Sequence, residues 1–315
     1  MGNTRNIVSV IIPTYNRAES LKRTLSILSS ITDRPDEVVI VDQTQNKSIA
    51  NEIFTICQES TLNVKYNFLD YPSLTAARNV GISVSTGDVL LFLDDDVDVA
   101  DSTISNIRKL FEDTQVALVG GIDKNPVSKN SLLGYLFYKS SWRKRNIGHM
   151  TSAIYGRFPL KCEELTPTEW AMGFCFAVRK CCVERWNLRF EENFKYYAFA
   201  EDLDFTYAFC RNAHKSGLKC YMSTLLTVNH NVSQEYRIPN TKATFMNVLH
   251  REYMSYKFFP NSFSKRMVNR WSNLGEFFSR LIKNEKPIDV LKAQIFLEKY
   301  RDDVKRGIFH YELFF

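Results

Sequence analysis

Along the first 120 positions, apolar residues come in short continuous runs, with amphipathic stretches between them. Val8–Ile12, Glu37–Val41, Val89–Leu93 and Val116–Gly120 are rich in Val, Ile and Leu and read as strands, and Val64–Leu69 reads as a further strand. Ser20–Ser29 sets Leu21, Leu25 and Leu28 on one helical face, and Ile49–Glu59, Thr75–Val84 and Asp101–Asp113 also read as helices. Continuous apolar strands alternating with helices predict an α/β domain whose mostly parallel sheet is covered on both faces. In such sheets a ligand crevice lies beyond the carboxyl ends of the strands. Three polar clusters sit at those ends: Pro13-Thr14-Tyr15-Asn16, Asp42 and Asp94-Asp95-Asp96.

The pattern fades over residues 122–169, which predicts a long surface excursion, a mobile flap, with a basic knot at Arg143-Lys144-Arg145. It returns with a strand at Trp170–Val178, a helix at Glu201–Ser216 stopped by Gly217, and strands at Leu218–Met222 and Leu225–Val228. Residues 241–310 read as helices. There Leu274, Phe277, Phe278, Leu281 and Ile282 recur at helical spacing, with Arg270, Arg280 and Lys283 nearby. Such a stripe can pack on the domain, rest on an anionic membrane face or meet a protein partner. Two units are expected: a catalytic domain at 1–234 and a basic, mostly helical extension at 235–315.

Composition narrows the class. With 315 residues and 44% hydrophobic content the chain can bury a sizeable core, and 24% charged residues exclude a disordered protein. No apolar run approaches the 18 residues a spanning helix needs. The seven cysteines are scattered without C-x-x-C spacing, against zinc ligation or a disulfide framework. The N-terminus reads as a strand and not as an export signal, so a reducing cytosol is expected. Residues 1–234 carry 26 Lys/Arg and 26 Asp/Glu, whereas residues 235–315 carry 15 and 9. The whole net charge of +6 therefore lies in the tail. The knot and the tail are too little for a nucleic-acid binder, and no nucleic-acid partner is expected.

The candidate chemistry is acidic. Asp94 and Asp96 alternate on one side of an extended segment with Asp95 on the other. Adjacent carboxylates repel unless a cation or donors compensate, so the cluster is either a solvated acidic turn or a Mg²⁺-type site. Glu201-Asp202 opens a helix, where acids either satisfy the dipole or aim a general base into the crevice. His230, after an apolar strand, is either structural or a metal ligand. Arg78 either pairs with the acids or reaches phosphates. Tyr15 either covers the core edge or stacks on a base.

In order along the chain, Val8–Arg17 (VSVIIPTYNR), Val39-Ile40-Val41-Asp42, Ala77-Arg78-Asn79-Val80-Gly81, Asp88–Asp96 (DVLLFLDDD), Gly173, Glu201-Asp202 and His230 resemble the family-two glycosyltransferases of the GT-A fold, over residues 7–232. The resemblance implies a nucleotide-diphosphate sugar donor, a divalent cation (Mn²⁺ or Mg²⁺) and inversion at the anomeric carbon. It implies donor contacts from Pro13, Thr14, Tyr15, Asp42, Arg78, Asp94 and Asp95, and metal ligation by Asp96 and His230. Asp202 would be the base, and Trp170, Gly173 and Glu201 would face the acceptor. Relatives often carry an acid after the Asp42 position. Here Gln43-Thr44-Gln45 follows, which leaves uridine, thymidine and guanosine donors open. A cytosolic enzyme with a basic helical tail further suggests a glycan or lipid-linked glycan acceptor, met at the inner face of the cell membrane during surface-polysaccharide synthesis. Two other readings are a haloacid-dehalogenase-like phosphatase with Asp96 as nucleophile, from Asp96-Val97-Asp98-Val99, and a non-catalytic sugar-nucleotide-binding protein.

Overall fold

A computed structural model describes residues 5–124, 132–196, 198–231 and 240–314. The expected boundary between the two units, at 234/235, lies outside the described residues. Strands are β1 (Val8–Thr14), β2 (Glu37–Asp42), β3 (Val64–Phe68), β4 (Val89–Leu93), β5 (Val97–Asp98), β6 (Val116–Asp123), β7 (His149–Met150), β8 (Gly156–Arg157), β9 (Thr166–Pro167), β10 (Cys175–Arg179) and β11 (Lys219–His230). Helices are α1 (Ala18–Ser30), α2 (Lys47–Glu59), α3 (Leu74–Val84), α4 (Thr103–Leu110), α5 (Leu132–Leu136), α6 (Lys180–Arg185), α7 (Glu201–Lys215), α8 (Asn240–Phe258), α9 (Phe263–Ile282), α10 (Ile288–Lys299) and α11 (Arg301–Lys305).

The main sheet runs β3-β2-β1-β4-β10-β6-β11-β5, with β9 paired to β11. The first four strands are parallel, as expected from the continuous apolar runs of β1, β2 and β4, while β3 at the sheet edge is half-exposed and carries Lys65 and Asn67. The sheet as a whole is mixed, because β10 runs antiparallel to both β4 and β6. This reversal has a consequence for the crevice. Cys175 pairs with Leu93, so the segment entering β10 lies beside the carboxyl end of β4. The Asp94 amide donates to the Phe174 carbonyl at 3.1 Å, which fixes Gly173 next to the acidic cluster. The predicted strand at Trp170–Val178 is therefore loop up to Phe174 and strand only beyond it. The two strands expected at 218–228 form one, β11, whose register with β6 breaks between Met222 and Thr227. Its far end pairs with β5, His230 opposite Val97.

Aromatic packing ties α7 to the sheet. Phe92 stacks on Phe176 at 4.6 Å, and Phe190 on Phe205 of α7 at 4.1 Å, all four buried. Each buried ring contributes roughly 1.5–3 kcal/mol.

The 122–169 stretch is not a mobile flap over its described part. Met150, Ala153, Ile154 and Trp170 are buried, and three of these share a core with Met246, Leu249 and Leu297 of the C-terminal helices. Arg251, fully buried on α8, holds this junction together. It donates to the Ala153 carbonyl (2.7 Å), the Tyr155 hydroxyl (2.7 Å) and Asn273 Oδ1 (2.9 Å). Asn269 and Asn273 make the inward face of α9 polar, because its partner is this guanidinium. The apolar stripe of α9 consequently faces out: Leu274, Phe278, Leu281 and Ile282 are exposed. Packing of that stripe on the domain is overturned.

Replacing Arg251 with Met leaves two asparagines and a buried carbonyl without their donor. Urea unfolding is expected to show a loss of ~3 kcal/mol, against little change for Lys292→Met on the exposed side of α10.

Candidate active site

Parallel pairing brings the carboxyl ends of β1, β2 and β4 side by side, with Thr14 opposite Asp42 and Ile11 opposite Phe92. Asp96 lines a shallow hollow of about 670 Å³ with Asn16, Arg17 and Asn231, and two further hollows open beside it. The first, about 320 Å³, is lined by Pro13, Thr14, Tyr15, Gln43, Asp94 and Asp95, among others. The second, about 350 Å³, is lined by Arg78, Trp170, Gly173, Glu201, Asp202 and His230, among others. Asp94 and Leu74 belong to both walls, so the two spaces meet at the acidic cluster.

Each aspartate of the cluster has a different environment. Asp95 points into the protein and accepts from Thr14 Oγ1 (2.7 Å) and Arg17 Nη1 (3.0 Å). Burial raises its pKa to about 7, against the pull of Arg17. Asp94 accepts from Arg78 Nη2 at 3.0 Å. Asp96 lies 3.2 Å from His230 Nε2 and 3.4 Å from Arg17 Nη1. Burial disfavours the charged imidazole, but the hydrogen bond to Asp96 and the charges of Asp94 and Asp96 outweigh it and raise the His230 pKa. One ligand atom each from Asp94, Asp96 and His230 lies within 4.8 Å of the others. Two carboxylates and an imidazole are a donor set that suits Mn²⁺ or Mg²⁺, with positions left for phosphate oxygens.

Arg78 joins this cluster to the second hollow. Fully buried, it donates to Asp94, to the Gly173 carbonyl (3.1 Å) and, in a short bond, to Glu201. Asp202 is held by two amides: Gly173 N–H to Oδ2 (2.8 Å) and Leu203 N–H to Oδ1 (2.7 Å). Burial raises the pKa of both Glu201 and Asp202, and Arg78 opposes it in each. The turn before them is strained: Tyr196, Ala198 and Ala200 all have left-handed φ, at 58°, 46° and 66°. Non-glycine residues pay for such angles, and strain of this kind clusters at functional sites. α8 braces the turn, since His250 binds the Phe199 carbonyl at 2.7 Å and stacks on Phe194.

Most sequence candidates thus meet around one joint, and Trp170 turns its indole Nε1 to the Arg157 carbonyl (3.0 Å) in the second wall. Asp42 stands apart from the others. It is fully buried, accepts from the Tyr66 hydroxyl (2.9 Å) and the Thr44 amide (2.8 Å), and does not line the first hollow. Gln43 takes its place in the wall. Its Oε1 accepts from the Ser73 amide at 2.7 Å and its Nε2 donates to the Thr14 carbonyl at 3.4 Å. Sequence reasoning gave no role to Arg17, Leu74, Tyr196 or Arg157. Arg17 had a signal, three residues past Thr14 in the same strand-end loop. The last two lie in segments without periodicity.

The model of glycosyl transferase family 2 matches residues 9–183, more than half of the chain. The glycosyltransferase AglE of Haloferax volcanii is 34% identical over 38% of this chain and 40% of its own length. The poly(ribitol-phosphate) β-N-acetylglucosaminyltransferase TarP of Staphylococcus aureus is 21% identical over 95% of this chain and 85% of its own. Among solved structures, the mannosyltransferase PcManGT of Pyrobaculum calidifontis, in complex with GDP-Man and Mn²⁺, superposes with a TM-score of 0.57 at 14% identity, covering 98% of this chain and 86% of that one. The chain spans less than half the length of the first curated relatives it matches. Fold and site define the class of the GT-A glycosyltransferases. The chain belongs to glycosyl transferase family 2. That membership overturns the phosphatase reading, and Asp96 sits against His230 and Arg17 in a ligand cluster.

A Cβ on residue 173 would lie 3.0 Å from Arg78 Nη2, 3.1 Å from Nη1 and 3.2 Å from Asp202 Cβ. Gly173→Ala must shift a buried guanidinium with three partners, and urea unfolding is expected to show a loss of ~1–3 kcal/mol.

Proposed function

We propose that the protein transfers a sugar from a nucleoside-diphosphate sugar to an acceptor hydroxyl, with inversion and with help from a divalent cation. The observation that carries this reading is the shared wall. A diphosphate leaving through the first hollow and a hydroxyl arriving through the second would meet at Asp94, beside Asp96, His230 and Asp202. The complex of PcManGT with GDP-Man and Mn²⁺ supports the same assignment of the cation.

In this mechanism the nucleoside lies along Pro13, Thr14 and Tyr15. A cation bound by Asp94, Asp96 and His230 would supply positive charge where the leaving diphosphate becomes more negative. Asp202, oriented by the Gly173 and Leu203 amides, accepts the proton of the acceptor hydroxyl. The acceptor oxygen bonds to C1 as the C1–O bond to the diphosphate breaks on the opposite face. Arg78 holds Asp94 and Glu201, so the two carboxylate groups keep their spacing as charge moves between them. Tyr155 and Arg157 extend the second hollow, giving an acceptor both an aromatic face and a cation. The acceptor is a glycan or lipid-linked glycan, used at the inner face of the cell membrane. The poly(ribitol-phosphate) in the name of TarP, a polymer bearing hydroxyl groups, supports a polymeric hydroxyl acceptor.

Asp202→Asn is expected to reduce transfer by about a hundred- to ten-thousandfold, while donor binding by calorimetry changes little. Near-normal turnover in that variant would assign the base elsewhere. The pH dependence follows from the raised carboxyl pKa. The base works ionised, so kcat/KM is full at high pH and falls as pH drops through that pKa. The acid limb is therefore expected above the ordinary carboxylate range, and a limb near pH 4 contradicts the assignment.

A further inference from the structure

The outward stripe of α9 has a regular spacing. Phe263, Met267, Trp271, Leu274, Phe278 and Leu281 follow one another at intervals of three or four residues, and all six are exposed. Ile282, 77% exposed, ends the row at the turn into α10, where Ile288, Leu291 and Ile295 continue it at the same spacing. α5 widens it at the other side. The Trp271 indole donates to the Leu136 carbonyl at 3.1 Å, and Phe137 lies over Gly275, where a Cβ would come within 2.1 Å of its ring. Leu132, Leu133 and Leu136 are themselves exposed, the first at 81%. Scattered surface leucines need no explanation, but a row that joins three helices does.

Charge decides what covers it. Residues 263–295 hold seven Lys/Arg and three Asp/Glu. Of the acids, Glu276 is paired with Lys139 and Arg280, and Asp289 is buried beside Thr241. Glu285 is the one exposed acid of this stretch, outnumbered by exposed Lys283, Lys286 and Lys292. The exposed Arg143-Lys144-Arg145 knot follows α5 within a few residues, just after exposed Tyr138 and Trp142. A second copy would bring the same positive fringe against itself. An anionic bilayer complements it: apolar side chains enter the acyl boundary, Trp and Tyr sit at headgroup depth, and Lys and Arg meet the lipid phosphates.

We propose that α5, α9 and the start of α10 form one docking surface for an anionic lipid bilayer, on which the enzyme lies without spanning it. No described helix is long and apolar enough to cross a membrane. The surface stands apart from the transfer chemistry, since none of its residues lines either hollow.

The test is co-sedimentation of the full chain with phosphatidylglycerol/phosphatidylcholine vesicles and with phosphatidylcholine vesicles alone, alongside sedimentation velocity without lipid. Binding is expected to the anionic vesicles, weakening as salt rises. Leu281→Glu with Ile282→Glu should lower it by about tenfold or more, with melting temperature and donor hydrolysis unchanged. Lys283→Glu with Lys286→Glu should lower it by about fivefold for each lysine. Absence of binding to anionic vesicles at low salt overturns the proposal. So does a lipid-free oligomer that dissociates in the Leu281/Ile282 variant, which would make a second copy the occupant.

Discussion

The site depends on how five neighbouring carboxyl groups, Asp94, Asp95, Asp96, Glu201 and Asp202, can be held together, with Asp95, Asp96 and Glu201 buried. Like charges this close cannot all ionise without compensation. Two arginines supply it. Arg17 neutralises the inward side at Asp95 and Asp96, and Arg78 bridges Asp94 to Glu201. Breaking a buried ion pair costs several kcal/mol because the partner stays buried and unpaired. The two guanidiniums are therefore structural conditions for the acidic cluster. Asp94 and Asp96, each also met by one of these arginines, group with His230 with one donor atom apiece inside 4.8 Å, and Asp202 accepts from the Gly173 and Leu203 amides.

The fold delivers these groups through one topological choice. Parallel strands place Thr14 and Asp94 at neighbouring ends. The reversed strand β10 then brings the Gly173 backbone to the same edge from the opposite direction. Its carbonyl meets Arg78 and its amide meets Asp202, so one glycine connects both ends of the charge network. The β11–β5 pairing adds His230 from a third direction. The C-terminal helices then hold the strained turn ahead of α7 through His250 and α7 itself through Lys257, which bonds Asp204 at 2.6 Å.

Strands β1, β2 and β4 were legible because buried parallel strands carry continuous apolar runs, a signal that depends on local sequence, and β3, interrupted by Lys65 and Asn67 at the sheet edge, was legible from its place in the alternation of strands and helices. The acidic triplet, Glu201-Asp202 and His230 were legible for a related reason: each sits at the end of a regular element. Direction was not legible. Cys175–Arg179 reads the same whether its strand runs parallel or antiparallel, since only its neighbours decide. Asp42 looked like a ligand contact from its place at a strand end. Burial under Tyr66 turns it into a support for the segment that carries Gln43, and no pattern in the sequence reveals that side-chain choice. The α9 stripe shows the same limit in reverse. Amphipathic spacing identified the helix, but which face turned inward was set by Arg251, a long-range partner that needs amides and not leucines.

The central claim is that Asp94, Asp96 and His230 together hold one divalent cation at the joint of the two hollows, where a nucleoside diphosphate adds further ligands. Mn²⁺ titration followed by electron paramagnetic resonance, with and without a nucleoside diphosphate, tests it most directly. One ion per chain is predicted, bound more tightly when the nucleotide is present and lost in Asp96→Asn. Unchanged Mn²⁺ affinity in that variant, or no nucleotide-dependent tightening, would contradict the account.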